Sequence, residues 1–199
     1  MFRTLKPQIF LLAMLICGFT ACNSNDPPSR TGTTPKSPTS SAPPSTALPM
    51  PPVNGASINN LGWNADGGKR SVFSDFRGKV LVLDFYATWC EPCRRSIPHL
   101  IGLQNKYADQ GLEVIGLNVG GPDDEPKVPA FAQEFGIQYT LAVPDDELVT
   151  FLLANNDAIP QTFVFDRQGQ LAERLIGFGP NAADRIDQAI EAALKTPAP

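Results

Sequence analysis

From about residue 58 onward, apolar and polar positions follow the periods of strands and helices in turn. Residues 80–86 are nearly all apolar, which is typical of a strand buried on both faces. By the same criterion we expect strands over residues 112–119, 162–165 and 171–176, and helices over residues 91–108, 128–135, 148–154 and 181–194. Asn181 is placed to cap the last helix.

Turn signals between these segments indicate how they connect. Asp66-Gly67-Gly68 separates residues 58–63 from residues 71–73 and predicts a β-hairpin, while residues 74–78 predict a short turn of helix. Asp166 to Gly169 predicts a second hairpin. The order of elements predicts an α/β fold that has a mixed central sheet with helices on both faces and an N-terminal β-hairpin extension.

The first 56 residues show neither period. Arg3 and Lys6 precede an apolar run of about 14 residues, which is short for a membrane span. Residues 23–56 contain nine prolines and eleven serines or threonines, so they bury too little apolar surface to offset the entropy of ordering. We therefore expect a signal peptide over residues 1–21, a disordered tether over residues 22–56 and one domain over residues 57–199.

Cys22 ends the apolar run, directly after Phe19, Thr20 and the small residue Ala21. This arrangement resembles a bacterial lipobox. The resemblance implies a diacylglyceride on the Cys22 sulfur, cleavage before Cys22, and loss of Cys17 with the peptide. The alternative is an uncleaved N-terminal anchor in which Cys22 has no role. Either arrangement places the domain outside the cytoplasmic membrane, facing the periplasm if the cell has two membranes.

Charge and cysteine content narrow the function classes. The 199-residue chain carries a formal net charge of −4 at pH 7, and a mildly acidic protein without a basic patch is a poor candidate for nucleic-acid binding. Of the four cysteines, only Cys90 and Cys93 fall within the expected domain.

Cys90 and Cys93 lie where a buried strand ends and a helix begins. Backbone N–H groups and the helix dipole stabilise a thiolate at such a position, and Pro92 suits a first helical turn. The two-residue spacing brings both sulfurs to one end of the helix. Cys90 would then attack a partner disulfide, and Cys93 would resolve the mixed disulfide.

Two other roles are open to such a pair. Structural zinc needs about four ligands, and the domain offers only Cys90, Cys93 and the lone His99 as soft ligands, so we expect no metal and no other cofactor. A structural disulfide is possible outside the cytoplasm, but so short a loop removes little chain entropy. A lone histidine on a helix is more often a surface or packing residue than a ligand.

The motif WCEPC at residues 89–93, followed by IPQT at residues 159–162, resembles the thioredoxin superfamily. The front hairpin, residues 76–80 and the extra segment over residues 120–139 are similar to its TlpA/ResA-like branch, and the resemblance covers about residues 57–195. It implies a thioredoxin-like fold and a cis peptide bond at the proline of IPQT. It also implies a groove for an extended substrate chain, formed by Trp89, Pro92, Ile159 and Pro160.

Asp84 interrupts the buried strand six residues before Cys90, and a buried carboxyl tends to stay protonated. Its position matches the thioredoxin aspartate that moves a proton to and from the second cysteine, which implies this role for Asp84 on Cys93. The alternative is an acid merely tolerated through hydrogen bonds to backbone or water. ResA-like proteins carry a glutamate three residues after the second cysteine, where this chain has Ser96, so strict specificity for apocytochrome c is in doubt.

The expected function is an extracytoplasmic thiol-disulfide oxidoreductase that reduces protein disulfides, with cytochrome c maturation as one candidate process. We expect a monomer attached to the membrane by lipid and supplied with electrons by a membrane thiol transporter. The alternatives are a thioredoxin-like binding module and a thiol peroxidase, although Ala87 and Leu83 stand where a peroxiredoxin has threonine and proline. Glu91 disfavours a neighbouring thiolate, which favours a reductant, while Arg94 and Arg95 are expected to point to solvent.

Overall fold

The structure, a computed structural model, describes residues 58–65, 67–154 and 156–199. The expected signal peptide, the expected lipidation site at Cys22 and the expected tether lie outside the described residues, as does Asp66 of the first hairpin. Across the described ranges, no helix combines the length and the apolar character needed to cross a membrane.

Seven strands of the described chain form one mixed sheet in the order β2-β1-β5-β4-β3-β6-β7. The central pairs β3–β4 and β4–β5 are parallel, and the outer pairs are antiparallel. The strands are β1 Gly62–Ala65, β2 Arg70–Val72, β3 Val80–Tyr86, β4 Leu112–Asn118, β5 Thr140–Pro144, β6 Gln161–Phe165 and β7 Leu171–Ile176.

Helices cover both faces of this sheet, as the sequence predicts. They are α1 Glu91–Tyr107, α2 Val128–Phe135, α3 Asp146–Leu153 and α4 Ala182–Leu194. Side chains alternate across the fully buried β3. Val82 packs with Leu100 of α1 and Ile186 of α4, whereas Leu83 packs on the opposite face with Leu148 of α3.

Three details differ from the sequence expectations. The strand β5 was not predicted, because it is partly exposed and ends in a proline, and its pairing with β1 and β4 is decided by the fold. Ile58 is helical and Asn59 and Asn60 form a turn, so none of the three belongs to the first strand. Asn181 makes no side-chain capping bond to α4, since its backbone is left-handed (φ 64°) instead of extended.

The antiparallel pairing of β3 with β6 brings the candidate site together. Phe85, near the end of β3, lies opposite Gln161 at the start of β6. The turn that follows β3 leads into Cys90 and α1, and the loop that precedes β6 contains Ile159 and Pro160. Two segments far apart in sequence therefore meet at one edge of the sheet.

Candidate active site

Cys90 and Cys93 form a disulfide at the N-terminus of α1. Cys90 is the N-cap residue, and its Sγ accepts a hydrogen bond from the backbone N–H of Cys93 at 3.3 Å. Pro92 occupies the first helical turn, as expected. Cys90 is 4% exposed and Cys93 is 0% exposed, so Cys90 is the more accessible of the two residues. On reduction, the N–H of Cys93 and the helix terminus would stabilise a thiolate on Cys90.

The loop before β6 lies directly beside this disulfide. The peptide bond between Ile159 and Pro160 is cis, as the resemblance implied. The carbonyl oxygen of Ile159 lies 3.8 Å from Cys90 Sγ. Trp89, which precedes Cys90, is 65% exposed. Cys90, Ile159 and Pro160 thus share one place in the fold, while the use of this place as a substrate groove stays a prediction.

Gln161 holds the cis-proline loop in position, a role that sequence reasoning did not assign. Its fully buried side chain donates from Nε2 to the carbonyl oxygens of Asn156 and Ala158, at 2.7 and 2.9 Å. Its Oε1 accepts a hydrogen bond from Arg174 Nη2 at 2.7 Å. The sequence signal for this clamp was a glutamine directly after a proline. The burial of Gln161 and its partners are set by the fold.

Asp84 is 1% exposed on the α1 face of β3. It lies between Val82, which packs with Leu100, and Tyr86, which packs with Cys93, so it sits beneath the first turns of α1. Burial raises the pKa of its carboxyl from 3.8 to about 7, and a hydrogen bond from the Thr162 hydroxyl at 2.7 Å partly opposes this. Such a carboxyl exchanges a proton near neutral pH, as a proton carrier for a thiol requires.

The surroundings of Asp84 depend on a glycine in the neighbouring strand. Gly116 lies opposite Asp84, and a Cβ there would come within 2.5 Å of Leu141 and 3.3 Å of both Tyr86 and Tyr139. Burial raises the pKa of the Tyr139 hydroxyl, and the charge of Asp84 adds to this. Gly116 therefore makes room for two tyrosine rings beside the buried carboxyl. The sequence did not identify Tyr139 or Thr162 as neighbours of Asp84.

Ser96 and His99, both on α1, contact other groups of the protein. Ser96 is fully buried and donates from its hydroxyl to the carbonyl oxygen of Cys93 at 2.8 Å. His99 Nε2 lies 2.9 Å from Asp187 Oδ1 on α4, and its ring packs against Phe178. In residues 58–65, 67–154 and 156–199, no group of three His, Cys, Asp or Glu side chains is arranged to hold a metal ion.

The expectation that Arg94 points to solvent is wrong. Its guanidinium forms an ion pair with Glu134 of α2, lies 4.8 Å from the ring centroid of Phe135, and donates to the carbonyl oxygen of Thr88 at 3.4 Å. The aromatic side chains of α2 draw the guanidinium away from water. Arg95 does remain exposed, 3.8 Å from Glu91.

The chain matches a sequence model of the AhpC/TSA family over residues 49–174. It is 34% identical over 110 residues to the thiol-disulfide oxidoreductase ResA of Geobacillus kaustophilus, which covers 55% of this chain and 62% of that relative. The ResA of Bacillus subtilis is 28% identical over 123 residues, covering 62% of this chain and 67% of the relative. The chain thus spans less than two thirds of the Geobacillus protein.

Solved structures show the same similarity. A putative thiol:disulfide interchange protein DsbE from Chlorobium tepidum superposes with a TM-score of 0.60 at 27% identity, covering 73% of this chain and 99% of its own. A putative protein disulfide isomerase from Bacteroides thetaiotaomicron also gives a TM-score of 0.60 at 27% identity, covering 70% of this chain and 91% of its own. The resemblance inferred from the motifs is therefore confirmed: the chain belongs to the AhpC/TSA family and has a thioredoxin-like fold.

Proposed function

We propose that this protein is a thiol-disulfide oxidoreductase that reduces disulfide bonds in other proteins. The observation that carries the proposal is the Cys90–Cys93 disulfide at a helix N-terminus, with Cys90 Sγ 3.8 Å from the carbonyl oxygen that precedes a cis-proline. The names of two of its relatives, thiol-disulfide oxidoreductase and thiol:disulfide interchange protein, support the same chemistry.

The reaction uses the reduced pair. The Cys90 thiolate attacks one sulfur of the partner disulfide, and the other partner sulfur leaves as a thiolate, which produces a mixed disulfide. Cys93 loses its proton and attacks the Cys90 sulfur, which releases the partner as a dithiol and forms the Cys90–Cys93 disulfide. Two electrons pass from the pair to the partner. Asp84 takes the proton from Cys93, and an external thiol donor later restores both thiols.

Substrate binding would use the edge where the two loops meet. The carbonyl group of Ile159 is directed toward the disulfide, and an extended partner chain could pair with this backbone next to Pro160. Trp89 and Pro92 would border the same groove, with Trp89 supplying exposed apolar surface. Because backbone pairing carries little sequence information, such a groove suits protein disulfides of varied sequence.

Reduction of insulin disulfides by dithiothreitol tests this function. The proposal expects catalytic amounts of the protein to accelerate the reaction. A binding module that uses the same groove without turnover would leave the rate unchanged, and that result would refute the proposal. Consumption of hydrogen peroxide at the expense of dithiothreitol, without any protein disulfide present, would instead favour the peroxidase alternative.

We further propose that the domain works outside the cytoplasmic membrane, held by lipid on Cys22 through the tether over residues 22–56 and receiving electrons from a membrane thiol transporter. Apocytochrome c is one candidate substrate among several. Support comes from the apolar run that ends in Ala21-Cys22 and from the proline-rich composition that follows it. A chain of this length could extend on the order of 100 Å from its anchor.

Cys22→Ala should release the protein into a soluble fraction or leave it unprocessed, because the acceptor sulfur for the lipid is gone. Cell fractionation and mass measurement of the N-terminal peptide report both outcomes. Cys17→Ala is the matched control, since Cys17 lies inside the apolar run and should leave with the peptide. Normal processing and unchanged membrane attachment of Cys22→Ala would disprove lipidation at this residue.

A further inference from the structure

A second buried carboxylate contacts the turn that precedes Cys90, and the reaction described above does not use it. Asp124 belongs to the segment between β4 and α2 and is 1% exposed. It accepts hydrogen bonds from the backbone N–H of Thr88 at 2.9 Å, from the Thr88 hydroxyl, and from Asn118 Nδ2 at 2.8 Å. In sequence, Asp124 stands in an acidic run that looks like a solvated loop.

Thr88 belongs to the turn that delivers Cys90 to α1. The backbone N–H of Cys90 donates to the carbonyl oxygen of Ala87 at 3.1 Å, which closes a turn around Thr88 and Trp89. Asp124 binds the N–H and the hydroxyl of Thr88, while Arg94 donates to its carbonyl oxygen at 3.4 Å. Every polar group of Thr88 is therefore held, and Thr88 is two residues from the attacking sulfur.

Asp124 is itself fixed in place. Its backbone N–H donates to the carbonyl oxygen of Gly121 at 2.9 Å, and a Cβ at Gly120 would lie 2.3 Å from its carboxylate. Burial alone would raise the pKa of Asp124. The hydrogen bonds from Thr88 and Asn118, with Lys127 Nζ 4.0 Å away, outweigh this and hold that pKa below its ordinary value. The group stays a charged acceptor at neutral pH.

We propose that Asp124 is a positioning residue for the dithiol reaction: its carboxylate clamps Thr88 and so fixes the turn that presents Cys90 Sγ to the N–H of Cys93. The inference rests on the proposed function and adds to it a residue from the extra segment that follows β4. Without the clamp, the turn loosens, and a Cys90 thiolate loses part of the stabilisation that the helix terminus supplies.

A purely electrostatic role for Asp124 predicts changes of the opposite sign in the pKa of Cys90 and in the rate of attack. A negative charge near a thiolate disfavours that thiolate, so its removal would lower the pKa of Cys90 and speed the attack. Loss of the clamp instead slows the attack and raises that pKa. Thr88→Val separates the two effects, because it keeps the Asp124 charge and the Thr88 backbone N–H but removes the hydroxyl bond.

The experiment measures two quantities on reduced full-length protein: the rate of attack on oxidised glutathione and the pH midpoint of Cys90 alkylation. We expect Asp124→Asn and Thr88→Val both to react roughly three- to tenfold more slowly, with the alkylation midpoint moved to higher pH. Thr88→Ser keeps the hydroxyl and should restore most of the wild-type values. Asp166→Asn is the control, since Asp166 accepts two backbone N–H bonds in the β6–β7 turn, at the far end of β3.

The outcomes separate the inference from the function on which it rests. Faster attack by Asp124→Asn would overturn the positioning role. The same conclusion would follow if Asp124→Asn and Thr88→Val lowered thermal stability as Asp166→Asn does but left the alkylation midpoint unchanged. If Asp124→Asn does not fold, Thr88→Val decides alone. Wild-type protein that fails to exchange with glutathione refutes the proposed function, and the inference falls with it.

Discussion

Cys90→Ser should abolish catalysed disulfide reduction, whereas Cys93→Ser should accumulate partners as mixed disulfides. Only Cys90 has its sulfur at the helix N-terminus, next to the carbonyl of Ile159 and partly accessible, while Cys93 is fully buried. Without Cys90 no covalent intermediate can form, so turnover should fall by on the order of 10³-fold or more. Without Cys93 the first step survives and the release step does not.

The insulin assay measures the first effect, and non-reducing gels of cell extracts measure the second. The double variant Cys90→Ser/Cys93→Ser is the matched control and should trap nothing. Trapping by Cys90→Ser instead of Cys93→Ser would mean that the roles of the two cysteines are reversed. Preferential alkylation of Cys93 in the reduced wild-type protein would point to the same reversal.

Asp84→Asn should make the protein more stable relative to the wild type as the pH rises from about 4 to 8. Below pH 4 the wild-type carboxyl is protonated in the folded and the unfolded chain, so it adds no pH-dependent cost. Between pH 4 and 7 the unfolded chain ionises while the buried group, with its pKa of about 7, does not. The wild-type protein therefore loses stability through this window. Above pH 7 the loss relative to pH 4 reaches roughly 4 kcal/mol, taking 1.36 kcal/mol for each pH unit.

Denaturant unfolding at several pH values measures this difference. Any cost of the new amide group is independent of pH, so the change with pH is the diagnostic quantity. Thr162→Val is the companion variant, because it removes the hydrogen bond that lowers the folded-state pKa of Asp84 and should extend the upper end of the window to higher pH. A constant stability difference between pH 4 and 8 would contradict a buried, protonated Asp84.

The same substitution tests the proton-transfer role. A side-chain amide cannot accept the proton of Cys93, so Asp84→Asn should slow the release of the mixed disulfide more than its formation. Rapid-quench measurement of the two steps with a model disulfide separates them. Equal slowing of both steps would leave Asp84 as a buried acid that the core tolerates.

Local sequence patterns predicted much of the fold and the Cys90/Cys93 pair. The sequence showed the apolar run over β3, Asp84 within this run, and the two cysteines at a strand-to-helix junction. These features could be predicted because burial and helix initiation follow from nearby residues. The short strand β5 could not be predicted in this way. It gains its pairing partners only when β1 and β4 are already in place.

Most contacts of the site residues could not be predicted from the sequence. Thr162 reaches Asp84 from 78 residues away, and Asp124 reaches Thr88 from 36 residues away. Arg94 was expected in solvent, yet the aromatic face of α2 and Glu134 hold it beside Thr88. Each of these contacts depends on how distant segments pack, and no local spacing encodes them.

The reduction potential of the Cys90–Cys93 pair tests the central claim most directly. Glu91 adjoins Cys90 and disfavours its thiolate, and its exposed contact with Arg95 at 3.8 Å offsets this only in part. The charge of Arg94 is compensated by Glu134, so the disulfide should be stable relative to the dithiol. Equilibration of the purified protein with glutathione buffers, followed by mass measurement of the alkylated forms, gives the potential. We expect reversible two-electron exchange with a potential below roughly −200 mV, nearer thioredoxin than the strong oxidants. A potential near about −120 mV would contradict a reductant, and a disulfide that does not exchange would contradict the dithiol couple itself.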